Sequence, residues 1–344
     1  MRLNFMCHYL SGNGGVETVL TDVLNYLSKD NDVTLTLTNE PENENWLSSL
    51  SSKIIIKKPM FENKVGKVAF FSREFISSSQ DEIMIILGAN LIKLGYKIRK
   101  IFNKRYKIVS WIHFSLNNQD MFDPNNIKYA DRHWAISTAI KNELEDLGIS
   151  SEKIDLIYNP VNHHNTLITK NNSDTLKLAY IGRMQITGQK NLSDLLEGIR
   201  QYKGKIKVDF FGTGKDDLLI KEYIEKYNLE KKIIWHGWVK NPWDKLKELD
   251  ATILTSNYEG LPMVFLESIS RGIPVISSKF LGYTDVVKEN INGYSYNVGN
   301  IQELLNCMVN IKNMDYNSSK IQESISQCYS ENYLEKLELI LKKI

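Results

Sequence analysis

Two glutamates, two cations and a histidine are the residues of this chain best placed by type and spacing to do chemistry. Glu259 and Glu267 frame the stretch NYEGLPMVFLESISRG at residues 257–272. Carboxylates accept hydrogen bonds from hydroxyls, and the free N–H groups of a helix start attract an anion. Arg183 and Lys190 flank a loop that contains ITGQ. Two cations at one strand-to-helix junction are expensive to converge without an anion between them, and a diphosphate is the natural one. The alternative is that each simply faces solvent. His113 ends the apolar run KIVSWIHFS, and Gly14-Gly15 ends the turn SGNGG. A lone histidine is usually structural, and a tight turn explains glycines as well as a ligand does.

These residues need a scaffold that brings them to one sheet edge. ATILTS and IPVISS, on either side of 257–272, read as buried parallel strands. Pro262 suits the first turn of the helix between them and Gly272 its C-terminal cap. The same strand–loop–helix unit recurs along the chain. A strand from Leu3 to Tyr9 runs through the glycine turn into a helix whose Val16, Val19, Leu20, Val23, Leu24 and Leu27 share one face. Further strands are expected at 33–38, 82–90, 107–115, 131–137 and 153–162, with Ser137 capping the helix TAIKNELEDLG. Residues 39–75 read as irregular, and the polar stretch 163–175 reads as a linker. The second half restarts at KLAYIGRM and continues through FFGTG, IIWHGWV and the framed stretch. Repeated units of this kind in both halves argue for an α/β protein of two Rossmann-like domains facing across a cleft. Phosphate plus sugar hydroxyls, the ligand suggested by 257–272, describes a nucleotide-sugar.

Composition narrows the classes. The 344 residues suggest about two domains, and 42% hydrophobic with 24% charged residues is the balance of a globular protein. A formal net charge of +2 gives no reason to expect a nucleic-acid partner. Cys7, Cys307 and Cys328 have neither metal-ligand nor redox spacing and fit a reducing cytoplasm. The N-terminus reads as a strand and not as a signal peptide, and no apolar run approaches the roughly 20 residues of a membrane span. Asp30-Asn31-Asp32 is formally a D-x-D metal–diphosphate pattern, but it falls at the opposite sheet edge and reads as a solvated turn. His163-His164 reads as a pair of exposed linker residues. Residues 93–107 hold seven Lys or Arg and no acid, interleaved with Leu94, Tyr96, Ile98, Ile101 and Phe102. They form either a solvated helix face or a surface that meets anionic phospholipid.

The ordered set GRM…GQKNLSDLL, FFGTG, IIWHGWV and YEGLPMVFLESISRGIPVISS resembles the donor-binding half of family 4 retaining glycosyltransferases, which have the GT-B fold. GNGGVET, WIHFS, ADRHWAIS and IYNPV extend the resemblance over nearly the whole chain, which looks most like the lipopolysaccharide 1,6-galactosyltransferase group. The resemblance implies an acceptor-binding domain at 1–165, a nucleotide-sugar donor domain at 166–324, and a C-terminal helix at about 325–344 returning to the first domain. It implies that Arg183 and Lys190 hold the donor diphosphate and that Glu259 grips sugar hydroxyls. Gly260, Leu261, Pro262, Met263 and Val264 would then meet the β-phosphate and sugar, and Glu267 the ribose. The base is expected near Gly237, Trp238 and Val239, with uracil favoured. Gly14 and Gly15 would let the first domain approach the diphosphate, and His113 would stand beside the transferring sugar.

The reaction implied is metal-independent transfer of a hexose, galactose or glucose favoured, from a UDP-sugar to a hydroxyl of a bacterial surface glycan or lipid-linked acceptor. The product would be an alpha linkage. Negative charge grows on the leaving diphosphate, where fixed cations stabilise it. No cofactor is implied beyond the donor substrate, and the expected location is cytoplasmic, peripheral on the inner face of the membrane. A non-catalytic partner subunit or a nucleotide-sugar epimerase would share the architecture. A decayed subunit would have lost some of Arg183, Lys190, Glu259 and Glu267, and an epimerase needs acid–base groups placed differently. A two-domain sugar-binding protein is the third alternative.

Overall fold

The computed structural model describes the whole chain except His8, Tyr9, Ser11, Asn13, Glu42, Glu62 and residues 118–120. The expected end of the first strand at His8-Tyr9, and Ser11 and Asn13 of the glycine turn, therefore lie outside the described residues. The chain divides into two compact units, residues 1–160 with 330–344, and residues 161–329.

The first unit is built on a seven-stranded sheet of order β3-β2-β1-β4-β5-β6-β7, parallel at every pairing among the described residues. Its strands are β1 (Arg2–Cys7), β2 (Asp32–Leu37), β3 (Ile55–Lys57), β4 (Ile83–Ile86), β5 (Lys107–Ile112), β6 (Arg132–Ala135) and β7 (Ile154–Leu156). Its helices are α1 (Gly15–Leu27), α2 (Lys64–Ser77), α3 (Ala89–Ile101) and α4 (Thr138–Asp146). Parallel strands covered on both faces need near-continuous apolar runs, and IMII of β4 is buried throughout. α1 buries Val19, Leu20, Val23, Leu24 and Leu27, whereas Val16 is only half-buried. Ser137 caps α4 by accepting a bond from the Ile140 N–H. Phe5, Trp111 and Trp134 form an edge-to-face chain across β1, β5 and β6, with centroids 6.1 and 5.7 Å apart. Each such pair adds roughly 0.5–1.5 kcal/mol beyond the area it buries.

One expectation fails here. Residues 39–75 contain a strand, β3, and most of a helix, α2. Of α2 only Phe71 and Phe75 are buried, while Val65, Val68 and Ile76 face outward, so the sequence carries no continuous apolar stripe.

The second unit holds a six-stranded parallel sheet of order β11-β10-β9-β13-β14-β15 and a two-stranded pair, β12-β8. The strands are β8 (Thr169–Lys170), β9 (Leu176–Ile181), β10 (Ile206–Phe211), β11 (Ile233–Gly237), β12 (Glu248–Leu249), β13 (Ala251–Leu254), β14 (Val275–Ser278) and β15 (Gly293–Tyr296). The helices are α5 (Leu192–Gln201), α6 (Asp217–Lys226), α7 (Met263–Ile269), α8 (Ile301–Asn313) and α9 (Ser318–Glu323). β8 lies inside the stretch 163–175 that reads as a linker. A last helix, α10 (Ser330–Leu341), belongs to the first unit, where Lys336 Nζ donates to Leu156 O at 2.7 Å. Because all strands of each main sheet run the same way, the loops leaving β1 and β5 share one edge of the first sheet. Those leaving β9, β10, β11 and β13 share one edge of the second.

Candidate active site

In the second unit three of these loops are laced together by main-chain bonds. Gly182 N–H donates to Phe211 O at 2.9 Å, Met184 N–H to Thr213 O at 3.1 Å, and Gly212 N–H to Gly237 O at 2.7 Å. A Cβ on Gly212 would lie 2.0 Å from Gly182 O, and one on Gly214 would lie 2.1 Å from Met184 O. The GxG pair thus serves a crossing of backbones, and what it holds is the loop that carries Arg183. Tyr180 O–H donates to Arg183 O at 2.7 Å and fixes that turn from below.

Lys190 leaves this loop toward Glu259. Its Nζ is 2.7 Å from Glu259 Oε1, and Ser256 Oγ donates to the same oxygen at 2.6 Å. The side chains of Lys190 and Glu259 are 14% and 8% exposed, so this is a largely buried ion pair. The exposed Arg183 donates to Gln189 Oε1, and Gln189 Nε2 donates to Tyr258 O at 3.3 Å. Lys190 is therefore largely shielded from solvent, whereas Arg183 is exposed. One has found a carboxylate of the chain, and the other a side-chain amide.

The framed stretch delivers the remaining groups. Phe265 and Leu266 both donate their N–H groups to Pro262 O, so Met263 and Val264 precede the first intrahelical bond. Pro262 stands at the N-cap, one residue before the helix, and Gly272 adopts φ +75° beyond its end. α7 is only seven residues long. Its macrodipole is correspondingly small, and what the loop offers an anion is individual N–H groups. Glu267 Oε2 accepts a bond from Trp243 Nε1 at 2.8 Å, while Arg271 Nη1 donates to the Glu267 main-chain oxygen at 2.9 Å. Burial raises the Glu267 pKa, and the Trp243 bond and the Arg271 charge pull it back. Gly260 is half-buried and Leu261 buried. Gly237, at φ +69°, has open space where a Cβ would project, and Trp238 is 55% exposed. Val239 and Val264 pack on the cluster of Ile168, Phe211, Trp243 and Leu249.

In the first unit the glycine turn closes on a carboxylate. Gly12 N–H donates to Glu17 Oε1 at 2.6 Å and Gly14 N–H to Glu17 Oε2 at 3.1 Å. Gly15 opens α1, with Glu17 two residues on and 5% exposed. The half-buried His113 follows β5, and its ring centroid lies 4.6 Å from that of Trp111. Glu143 of α4, buried, accepts Ser115 Oγ at 2.6 Å and Leu116 N–H at 2.7 Å, pinning the loop after His113.

Residues 13–165 match the Glycosyltransferase Family 4 model, and residues 166–324 match that of Glycosyl transferases group 1. The chain is 31% identical over 318 residues to the lipopolysaccharide 1,6-galactosyltransferase of Salmonella typhimurium, covering 89% of this chain and 88% of that protein. It is a family 4 glycosyltransferase. The Escherichia coli lipopolysaccharide 1,6-galactosyltransferase is 29% identical over 355 residues, 99% of this chain and 98% of the relative. A solved lipopolysaccharide outer core galactosyltransferase in its apo form superposes with a TM-score of 0.88 at 29% identity, covering all of both chains. An Anabaena protein solved with UDP shares the fold, at TM-score 0.81 and 17% identity over all of both chains. The architecture of this glycosyltransferase is GT-B.

Within the glycosyltransferase the structure brings Lys190 and Glu259 into contact and hangs Arg183 on the same pair of loops. Glu267 stands on the short helix that follows. Trp243, Glu143 and Glu17 were missed by reasoning from sequence. Glu17 had a signal, since a glutamate at the third position of a helix is the reach-back half of a capping box. Glu143 and Trp243 had none, because their partners are remote in sequence.

Proposed function

We propose that this glycosyltransferase moves a hexose, galactose or glucose, from a UDP-sugar to a hydroxyl of lipopolysaccharide or a related surface glycan, forming an alpha linkage with retention and without a metal. Similarity along nearly the whole chain to two lipopolysaccharide 1,6-galactosyltransferases supports the sugar and the acceptor class. The observation that carries the donor reading is the Lys190–Glu259–Ser256 cluster on the loop that leads to the Met263 and Val264 N–H groups.

In this reading the donor diphosphate takes Lys190 as its counter-ion, together with Arg183 and those N–H groups. Glu259, released from part of its bonding, accepts from hydroxyls of the donor sugar. Glu267 holds the ribose, and Trp238 offers a flat apolar face to the uracil above Gly237 and Val239. As the glycosidic bond breaks, the cations stabilise the charge growing on UDP, and such preset electrostatics are worth several kcal/mol in a water-poor site. The acceptor hydroxyl attacks from the face the nucleotide leaves, and its proton passes to the departing phosphate oxygen. Gly14, Gly15 and His113 are expected to contribute to turnover from the first unit.

The chain is further proposed to work on the inner face of the cytoplasmic membrane, through residues 93–107. Ile101 and Phe102 are 74% and 50% exposed among the lysines there, although Arg99 is committed to Asp131 and Lys104 to Ser78 O. No helix among the described residues is long and apolar enough to cross a membrane.

The test is to incubate the protein with a panel of UDP- and GDP-sugars, with and without truncated lipopolysaccharide, and to measure released nucleotide. UDP-galactose or UDP-glucose should be consumed, with no loss of rate in EDTA. A protein that neither binds nor turns over any of them overturns the reading. Flotation with anionic liposomes, reversed by high salt, checks the membrane surface.

A further inference from the structure

Glu267 depends on a residue outside the framed stretch. Trp243 comes from a 3-10 turn, Pro242–Lys245, just past the Gly237–Val239 segment. Trp243 is 7% exposed and belongs to the cluster of Phe211, Leu246 and Leu249. The Arg271 guanidinium lies over the ring, 4.6 Å from its centroid. Held by the core and by Arg271, the ring leaves its N–H one direction, to Glu267 Oε2 at 2.8 Å.

An indole N–H only donates, so it uses one carboxylate oxygen as acceptor and leaves Oε1 to take a bond from another donor. Arg271, though close, spends Nη1 on the Glu267 main-chain oxygen and so ties down the helix turn beneath the carboxylate. Burial favours the protonated acid, which would present a donor where an acceptor is needed, and the Trp243 bond opposes that drift.

We propose that Trp243 is a positioning residue that aims Glu267 at the nucleotide ribose and thereby sets the enzyme's preference for ribonucleotide over deoxyribonucleotide donors. This rests on the reading of Glu267 as the ribose holder. It assigns specificity to a side chain that touches the core on one side and the carboxylate on the other.

The experiment is calorimetric titration of the full chain with UDP, 2′-deoxy-UDP and 3′-deoxy-UDP, in wild type, Glu267→Ala and Trp243→Phe. Phenylalanine keeps an aromatic face for Arg271 but has no N–H. Wild type should prefer UDP over at least one deoxy analogue, and Glu267→Ala should erase that preference. Trp243→Phe should weaken UDP by about tenfold, the scale of a bond to a charged group, and the disfavoured analogue by less than about twofold. In turnover the KM for the UDP-sugar should rise while kcat stays within about twofold.

Failure to bind UDP, or a preference retained by Glu267→Ala, overturns the ribose reading and this inference with it. A preference lost in Glu267→Ala but kept in Trp243→Phe overturns the inference alone. So does an equal weakening of all three ligands by Trp243→Phe, which marks a packing role. Where phenylalanine does not fold, replacement of Trp243 by benzothienylalanine, a Trp isostere lacking the N–H, gives the same reading.

Discussion

Each unit places one of its own carboxylates where sequence reasoning looked for a bound anion, but the two carboxylates are held differently. Glu17 binds the N–H groups of Gly12 and Gly14, which are fixed parts of the turn into α1. Glu259 binds the ammonium of Lys190, the end of a flexible side chain carried by another loop. A main-chain donor cannot leave without unmaking the turn, whereas an ammonium can change partner by rotating a few bonds. Glu17 is therefore built into the fold, and Glu259 is the carboxylate that, under the proposed function, an incoming phosphate displaces from its cation.

The comparison breaks most visibly at Lys190. Lys190→Ala should lower turnover by a factor on the order of 100 or more with saturating UDP-galactose, since under the proposed function it removes a charge fixed beside the leaving group. It should also destabilise the fold by about 3 kcal/mol in urea melts, because Glu259 is left buried with Ser256 alone. Activity within threefold of wild type would remove Lys190 from the reaction. Glu17→Ala should affect stability alone. The loss of the Gly12 and Gly14 amide bonds should cost about 1–3 kcal/mol of stability, with no change in the Kd of UDP measured by titration. A large loss of UDP affinity with unchanged stability would reverse the assignment of the two carboxylates.

The smallest expected effect concerns Glu267 and has a definite sign. Its pKa in the folded chain is raised by burial, so the native state holds the proton more tightly than the unfolded chain does. Wild-type stability from this group is full below the ordinary glutamate value and falls as pH rises through the raised one. Glu267→Gln removes that dependence while keeping an acceptor for Trp243. The variant should melt at or slightly above wild type at pH 7, with the gap closing toward pH 4, even as its nucleotide affinity falls. A gap that widens on acidification would contradict the direction of the shift.

Most of the main strands were legible because they are short, rich in apolar residues and bounded by glycine or polar turns. IMII and ATIL could hardly be anything else in an α/β chain. α2 was not legible, since KVGKVAFFSREFIS buries two phenylalanines and leaves its other large apolar residues outside. Of the site, the residue types and the loops that carry them were readable, because a strand-to-helix junction is a local pattern. Who pairs with whom was not. Lys190 and Glu259 meet through loops leaving different strands, and the spacing of neither residue announces the other. The Gly212-x-Gly214 turn after β10 shows the converse, a local pattern whose two glycines are explained by the carbonyls of Gly182 and Met184.

The assignment of α10 to the first unit also bears on how the chain is made. Residues 161–329 are contiguous, so the second unit can fold as it emerges from the ribosome. The first unit cannot be completed in that way. Tyr333, Leu337 and Leu341 of its last helix are buried, yet they are synthesised only after the entire second unit. Until then the nascent first unit lacks one of its covering elements and exposes the apolar surface that α10 covers. That interval is when the growing polypeptide is most open to a chaperone, and a stop codon near residue 330 would make it permanent.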